Sequence, residues 1–495
     1  MLGLPSRLPW LIDLIGGYLS SRVNKGGIGL GRIASVHGIV HFIFILEYFI
    51  GAIVPNIVPL FNNIWQNSNK LERIHPLFMT SPKSPSTLSP PLNFDITIIG
   101  GGLVGYSLAT ALAKQFGDRL AVALVESTPQ PDQGQFSYSP SFDDRSTALS
   151  LGSKILLHQW GLWDGLSPQG AAIEQIEVSE QGGIKTATLA NDNRTQPYGY
   201  VLPNRWIGQV LVNQAQHLPT QFFYDQEISR LQFNPQDVTL FSGEQPFANT
   251  KLVILAEGGR SPLKQQLGIL DQQLDFQQRA FVANVETRQP HNQQAFERFT
   301  ESGPMALLPL KDPHHSALVW SVDNRLAPSI EHLDLASFSH QANEVFGYRL
   351  GAWKQVSAPA SYPLTRKKAF EQVRSRLVCI GNSAVTLHPV AGQGLNLALR
   401  AVQAFVVTLT EAMEADSDPG NLSTLQAFAE RVTNDQDRVT AFCDGIVKGF
   451  GIDAPGSRWV RALGLGLLDQ HSVLKSLFAE HAMGMASGQL HATGQ

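Results

Sequence analysis

Gly100, Gly102 and Gly105 stand at the spacing G-x-G-x-x-G, and Glu126 follows roughly 20 residues after the last of them. Glycines at this spacing let the backbone turn tightly and approach a pyrophosphate, while a helix N-terminus just beyond offers free N–H groups and a favourable dipole. A carboxylate at that distance can accept from a ribose hydroxyl. Two later segments have a related make-up. One is Glu257-Gly258-Gly259-Arg260-Ser261. The other runs from Gly381-Asn382 through His388-Pro389-Val390-Ala391-Gly392-Gln393-Gly394-Leu395-Asn396.

Each segment needs a strand to carry it. Asp95 to Ile99 is a short apolar run with β-branched residues, which predicts a buried strand before the glycine turn. Leu108, Leu112 and Phe116 then recur at helical spacing, with Gly117 as C-cap, and Ala121 to Val125 reads as a second strand. Leu252–Ala256 and Leu377–Ile380 are buried strands leading into the other two segments. In an open α/β sheet, ligands bind at the carboxyl ends of strands, so all three segments could converge on one extended ligand. No second G-x-G-x-x-G has a strand before it and a helix after it, which fits a tightly held flavin better than an exchanging nicotinamide. Leu395, Leu399, Val402, Val406, Leu409 and Met413 share one face of a long helix.

Other elements are coarser. The arginine segment Phe142–Ser150 leads into a helix with Ile155, Leu156 and Leu162. Pro203-Asn204-Arg205 opens an amphipathic helix, and Thr186–Leu189 and Gln221–Tyr224 suggest short strands. Ala280–Glu286, Met305–Leu310 and Ser316–Val322 are short apolar or alternating runs, predicting an antiparallel sheet inserted in the α/β body. The expected fold class is α/β: a Rossmann-like flavin-binding domain, an inserted mainly antiparallel sheet and a C-terminal helical region. The boundaries expected are 1–93 for an N-terminal extension, 94–275 and 371–415 for the two parts of the flavin-binding domain, 276–370 for the sheet and 416–495 for the helical region.

The chain has 495 residues, enough for two or three domains. A formal charge of -4 gives no sign of a nucleic-acid partner. Cys379 and Cys443 form no disulfide framework and no metal set, and no other metal constellation is visible. Residues 1 to 93 differ from the rest. Val36 to Phe61 is long enough to span a bilayer, yet it holds Glu47, two histidines and two prolines. It reads as a membrane anchor, an accessory element or a segment outside the functional protein. A start at Met79, with a Ser/Pro-rich leader, favours the last. Trp459 to Phe478 is apolar with Arg458, Arg461 and Lys475 interspersed, which suits either an interfacial helix or a core helix.

Taken together, these motifs resemble the single-component flavoprotein aromatic hydroxylases, especially the ubiquinone-biosynthesis branch that acts on polyprenylated phenols. The glycine turn is similar to that family's FAD-pyrophosphate motif. Leu255–Ser261 is similar to its A-D-G-x-x-S motif with Glu257 for Asp, and Gly381–Asn396 to its G-D…H-P-x-x-G-Q-G-x-N motif with Asn382 for Asp. FERFTESGPMALLPL (Phe296–Leu310) and FGYRLG (Phe346–Gly351) resemble the 2-polyprenyl-6-methoxyphenol hydroxylase subgroup. The resemblance covers roughly residues 94 to 480.

The resemblance implies roles. Gly100, Gly102 and Gly105 would hold the diphosphate of FAD and Glu126 its ribose, with Glu257, Gly258 and Gly381 beside them and Asn382 at the ribityl chain. Arg145 and Arg205 would lie near the flavin. Pro389 would pack beside the ring, and Gly392, Gln393, Gly394, Leu395 and Asn396 would open the long helix toward its pyrimidine. No side-chain base is assigned, and His388 reads as structural. NAD(P)H would reduce FAD, O2 would add at C4a to give a hydroperoxide, and its distal oxygen would pass to the ring. The partners implied are a polyprenylated phenol, O2, a membrane surface and a quinone-biosynthesis complex, at the cytoplasmic, inner face of a membrane. Two alternatives keep the fold: a prenyl-lipid reductase or oxidase, and a non-catalytic FAD-binding subunit.

Overall fold

The structure, a computed structural model, describes residues 91–130, 145–183, 186–190, 196–259, 261–389 and 392–451. The anchor-like Val36–Phe61 segment, Met79, the Trp459–Phe478 stretch, residues 142–144 of the arginine segment, Arg260, Val390 and Ala391 lie outside the described residues.

The first described elements are β1 (Leu92–Ile99), α1 (Leu103–Phe116), β2 (Val122–Val125), β3 (Ser146–Ser150) and α2 (Leu151–Gln159). Next come β4 (Gln175–Glu180), α3 (Asn204–Ala215), β5 (Gln245–Leu255), β6 (Asp271–Thr287), β7 (Gln294–Thr300), β8 (Gly303–Pro309) and β9 (His315–Asp323). The chain continues with β10 (Ala360–Ala369), β11 (Leu377–Cys379), α4 (Gln393–Glu414) and α5 (Leu422–Gly451).

The apolar runs become the centre of a parallel sheet. β11, β5, β1 and β2 lie side by side in that order, all pointing the same way. Ile96, Ile98, Val122, Leu124, Leu252 and Ile254 turn one face to α1 and α4, as buried parallel strands require. Helix α1 ends on Gly117, whose φ of 54° is a positive value that glycine adopts without a side-chain clash. On α4, Leu399, Val402, Val406 and Leu409 are buried, with Leu395 and Met413 partly so. Helix α5 is held to α4 by Arg400, whose Nε lies 2.7 Å from the Asp435 carboxylate. Cys379 and Cys443 are buried, and burial pushes both thiols up to about 12.

A second, nine-stranded sheet is antiparallel except where β7 runs parallel to β4. It is wider than residues 276–370: β6 begins at Asp271, and β4 and Thr186–Ala190 join from inside the preceding segment. One face packs Phe296, Met305, Leu307 and Trp320 against the Leu335–Phe346 helix. The arginine segment leads into a helix as expected, with Ile155 and Leu156 on α2 and Leu162 beyond its end, but a strand precedes that helix. Ser146–Ser150 forms a strand before its helix, pairing with Gly199–Pro203 in a third, three-stranded sheet. Its small polar residues show no apolar period to mark it. Among the described residues no helix is long and apolar enough to cross a membrane.

Candidate functional site

The carboxyl ends of β1, β5 and β11 are adjacent, so the three segments read from the sequence meet. Gly100 carries a φ of +111°, and a Cβ there would lie 2.7 Å from the Ala256 backbone, so only glycine fits between β1 and β5. Gly105 is tighter: a Cβ would lie 1.9 Å from the Gly100 carbonyl oxygen, so glycine lets α1 start against the end of β1. Gly381, with a φ of +67°, places its Cα against Val104 in the first turn of α1. Ser383 Oγ donates to the Gly258 carbonyl at 3.0 Å, joining the second and third segments.

Glu126 closes the fourth side. Its carboxylate accepts from Gly101 N at 2.5 Å, and from Thr128 N at 2.9 Å and Thr128 Oγ1 at 3.0 Å. It is thereby clamped at the rim of the glycine turn. Glu257 accepts from the Ser261 hydroxyl. Burial raises its pKa above the usual carboxylate value. The Ser261 bond works against this, and the nearby charges of Glu126 and Glu227 add to it. Asn382 lies exposed in the Gly381–Ser383 turn.

Two helix N-termini open onto this region. Helix α1 is capped by Gly102 and α4 by Gly392, neither with a side-chain capping bond nor an acidic residue in its first turn. Their first-turn N–H groups and positive dipole ends can therefore face anionic or electron-rich groups. A Cβ at Gly258 or Gly394 would meet open space. Gly392 has a φ of +59° and approaches the Ala148 side chain so closely that its own Cβ would lie 3.2 Å from it.

Asn396 organises that second N-terminus. Its Oδ1 accepts from Ser150 N at 2.8 Å and Ser153 Oγ at 2.7 Å, and its Nδ2 donates to the carbonyls of Ala148 and Gly392, both at 2.8 Å. An amide makes about four such bonds, so all its capacity goes to tying β3 and α2 to the start of α4. Gln393 is buried beside it, Leu395 packs on the α1 side and Pro389 O accepts from Gly392 N at 3.0 Å. Arg145 lies over the ring of Tyr362 on β10, 4.9 Å from its centroid. Its carbonyl accepts from Asn204 N, the first residue of α3, while Arg205 next to it is exposed.

His388 is 1% exposed, packs edge-on against Phe276 and lies 3.3 Å from the Gln278 side-chain oxygen. Burial lowers its pKa to about 4, so it is neutral at working pH. A folded pKa below the unfolded one means the unfolded chain protonates first as pH falls. His388 therefore contributes stability above about 6.5 that is lost toward 4, up to roughly 3 kcal/mol. His388→Gln should flatten that part of the stability-against-pH curve in urea titrations; an unchanged curve would contradict a neutral buried imidazole. Gln278 and Tyr362 have no spacing that marks them. Their places depend on a β6–β10 register that shifts between Asp275 and Gln278. Among the described residues no group of His, Cys, Asp or Glu is arranged to hold a metal.

Comparison with known proteins agrees with this geometry. The profile of the FAD binding domain family matches residues 93–437. Over 405 residues the chain is 31% identical to ubiquinone hydroxylase UbiL of Rhodospirillum rubrum, covering 82% of this chain and 92% of that one. It is 29% identical to 3-demethoxyubiquinol 3-hydroxylase of Escherichia coli, over 79% of this chain and 98% of that one. Human ubiquinone biosynthesis monooxygenase COQ6 is 27% identical, over 80% of this chain and 92% of that one. Among solved structures, p-nitrophenol 4-monooxygenase PnpA from Pseudomonas putida superposes with a TM-score of 0.61 at 16% identity, over 80% of this chain and 99% of that one, which speaks for the fold. Backbone cradles that a Cβ would fill, and two helix N-termini free of side-chain caps, suit an FAD. The chain belongs to the FAD-dependent ubiquinone-biosynthesis hydroxylases, a family of flavoprotein monooxygenases.

Proposed function

We propose that this monooxygenase hydroxylates the aromatic ring of a polyprenylated phenol in ubiquinone-type quinone biosynthesis, with NAD(P)H as reductant. The observation that carries the reading is the meeting of three strand-end segments on adjacent strands, beside two helices whose N-termini have no side-chain cap. FAD held there would supply the redox and oxygen chemistry: with NAD(P)H as reductant and O2 as oxidant, one oxygen atom would go to an electron-rich ring carbon and the other would leave as water.

The chain's own residues bind, orient and dry. Gly100, Gly102 and Gly105 would let the backbone reach the diphosphate, and Glu126, clamped by Gly101 and Thr128, would accept from the ribose. Glu257, Gly258, Gly381 and Asn382 would border the middle of the cofactor, with Arg145 and Arg205 near the flavin. Gly392, its own N–H held by Pro389 O, would turn the chain so that Gln393, Gly394 and Leu395 could bring N–H groups to the pyrimidine edge, where negative charge accumulates on reduction, and Pro389 would flank the ring. Asn396 would act through Gly392, by holding it. Leu308 and Leu310 pack with Ala148, Leu151 and Tyr198, an apolar wall that would keep water from the reacting ring.

A prenylated phenol is held by lipid, since each buried methylene contributes about 0.8 kcal/mol. The enzyme would therefore work peripherally at the inner face of a membrane, beside other quinone-synthesis proteins. Purified protein supplied with FAD, NADPH and a prenylated phenol should yield a ring-hydroxylated product; NADPH oxidation that never yields one would contradict the reading.

A further inference from the structure

The β register puts one carboxylate in an apolar row. Ala187, Val178, Glu297, Ala306, Val319 and Val282 are direct cross-strand partners, so their side chains share one face of the second sheet. That face is turned to the site. Two residues before Glu297, Ala295 packs in the cluster that includes Ala148, Leu308 and Leu310. Two residues after it, Phe299 packs in the cluster that includes Leu387 and Leu397 beside the start of α4. Further along the same face, Gln278 reaches His388, and Tyr362 lies under Arg145. The alternate residues of β7 face away: Phe296 packs with the Leu335–Phe346 helix, and Arg298 Nε donates to Val345 O on that helix.

Glu297 is surrounded by protein, yet it keeps some solvent access, unlike the buried Phe296 and Arg298 on either side of it. Among the described residues no hydrogen bond or ion pair reaches its carboxylate. Burial alone pushes its pKa up to about 7, with no charged neighbour contributing. By register, Glu180 of β4, Tyr362, Arg366 and Lys368 of β10 and, toward the strand ends, Glu286, His315 and Asp323 share that face; Arg145 lies over Tyr362, His388 lies against Gln278, and Asp444 and Asp437 of α5 pair with Arg366 and Lys368. An unpaired carboxyl in such a place destabilises the fold, and an apolar residue would pack there at lower cost.

We propose that Glu297 is the catalytic base that takes the hydroxyl proton of the phenol substrate. The proposal rests on the phenol reading of the site given above. The O–H bond breaks, its electron pair stays on the phenol oxygen, and the proton moves to a Glu297 carboxylate oxygen. The ring positions ortho and para to that oxygen become richer in electrons and better acceptors of the transferred atom. The attacked carbon then loses its own hydrogen as a proton, which goes to the second oxygen atom as that atom leaves as water; the phenol oxygen regains a proton from Glu297, and the carboxylate is restored. NAD(P)H and O2 supply electrons and oxygen as in the parent reaction. A base that titrates near working pH suits this task.

The test uses the full-length, FAD-loaded protein, with 2-prenylphenol and ring-fluorinated derivatives of increasing acidity as probes. Glu297→Gln should lower kcat for 2-prenylphenol by about 100-fold with KM little changed, and the loss should shrink steadily as the phenol becomes more acidic. Glu297→Asp should retain part of the rate, and it carries the test should the Gln variant not fold. Without NADPH, the ultraviolet difference spectrum of bound phenol should show phenolate at lower pH in the wild type than in either variant. An equal loss across the series, no loss, or identical binding spectra would overturn the role of Glu297 while leaving the hydroxylase reading intact. A wild type inert on every phenol would overturn that reading, and the base with it.

Discussion

Gly105→Ala should give no stably folded protein, while Gly102→Val should fold and bind no FAD. The two glycines sit three residues apart in one motif, and the structure assigns them different constraints. At Gly105 the obstacle is internal. A single added carbon would lie 1.9 Å from the Gly100 carbonyl oxygen, backbone against backbone, with no flexible side chain to yield. Helix α1 would have to leave β1, which breaks the packing of Leu108 and Leu112 on Ile96 and Ile98. Losing contacts of that kind costs on the order of 2–5 kcal/mol for each large side chain, as much as many domains possess. At Gly102 the backbone has φ -79° and ψ -174°, which any residue can adopt, and the position is partly exposed. A valine there would project at the helix N-terminus, where the diphosphate is proposed to lie. Far-ultraviolet circular dichroism and bound flavin, measured on both variants, check the distinction. Folded Gly105→Ala protein with full flavin would refute the steric account, and flavin-replete Gly102→Val would refute the placement of the diphosphate.

The second large effect is expected at Asn396. Its amide gives two hydrogen bonds and receives two, linking Ser150, Ser153, Ala148 and Gly392. Asn396→Leu removes all four and leaves buried partners unsatisfied, a cost on the order of 3–5 kcal/mol. Asn396→Asp is more selective. It keeps the acceptors for Ser150 and Ser153 but loses both donors, setting a carboxylate against the carbonyls of Ala148 and Gly392. The left-handed turn at Gly392 should then loosen with β3 still attached. The Asp variant should fold and lose FAD on dialysis at least about tenfold more readily than the wild type, a change of about 1.4 kcal/mol. Flavin retention equal to wild type would show that the Gly392 turn is held by other contacts.

The parts of the fold that were legible in the sequence are those where one local rule decides. β1, α1 and β2 announce themselves because apolar runs, helical spacing and glycines each answer to nearest neighbours along the chain. Glu126 is legible for the same reason, as a carboxylate at a set distance from a turn. Asn396 was readable as part of a motif but not in its hydrogen bonding, since its partners Ala148, Ser150 and Ser153 lie roughly 250 residues away. β3 escaped because Ser146-Thr147-Ala148-Leu149-Ser150 has no strand-like alternation, and its pairing with Gly199–Pro203 is purely tertiary. Glu297 illustrates the limit most clearly. In sequence it is one charged residue between Phe296 and Arg298; its inward position follows only from the register of β7 with β4 and β8.

In the proposed reaction the chain inserts one atom of dioxygen into the ring of a prenylated phenol. The direct measurement is mass spectrometry of the product formed by FAD-loaded protein, NADPH and 2-prenylphenol under isotopically heavy dioxygen in ordinary water. The expected product is a hydroxylated phenol that carries one heavy oxygen atom. A product whose new oxygen comes from water, or a reduced or dehydrogenated prenyl compound with no new oxygen, would contradict it.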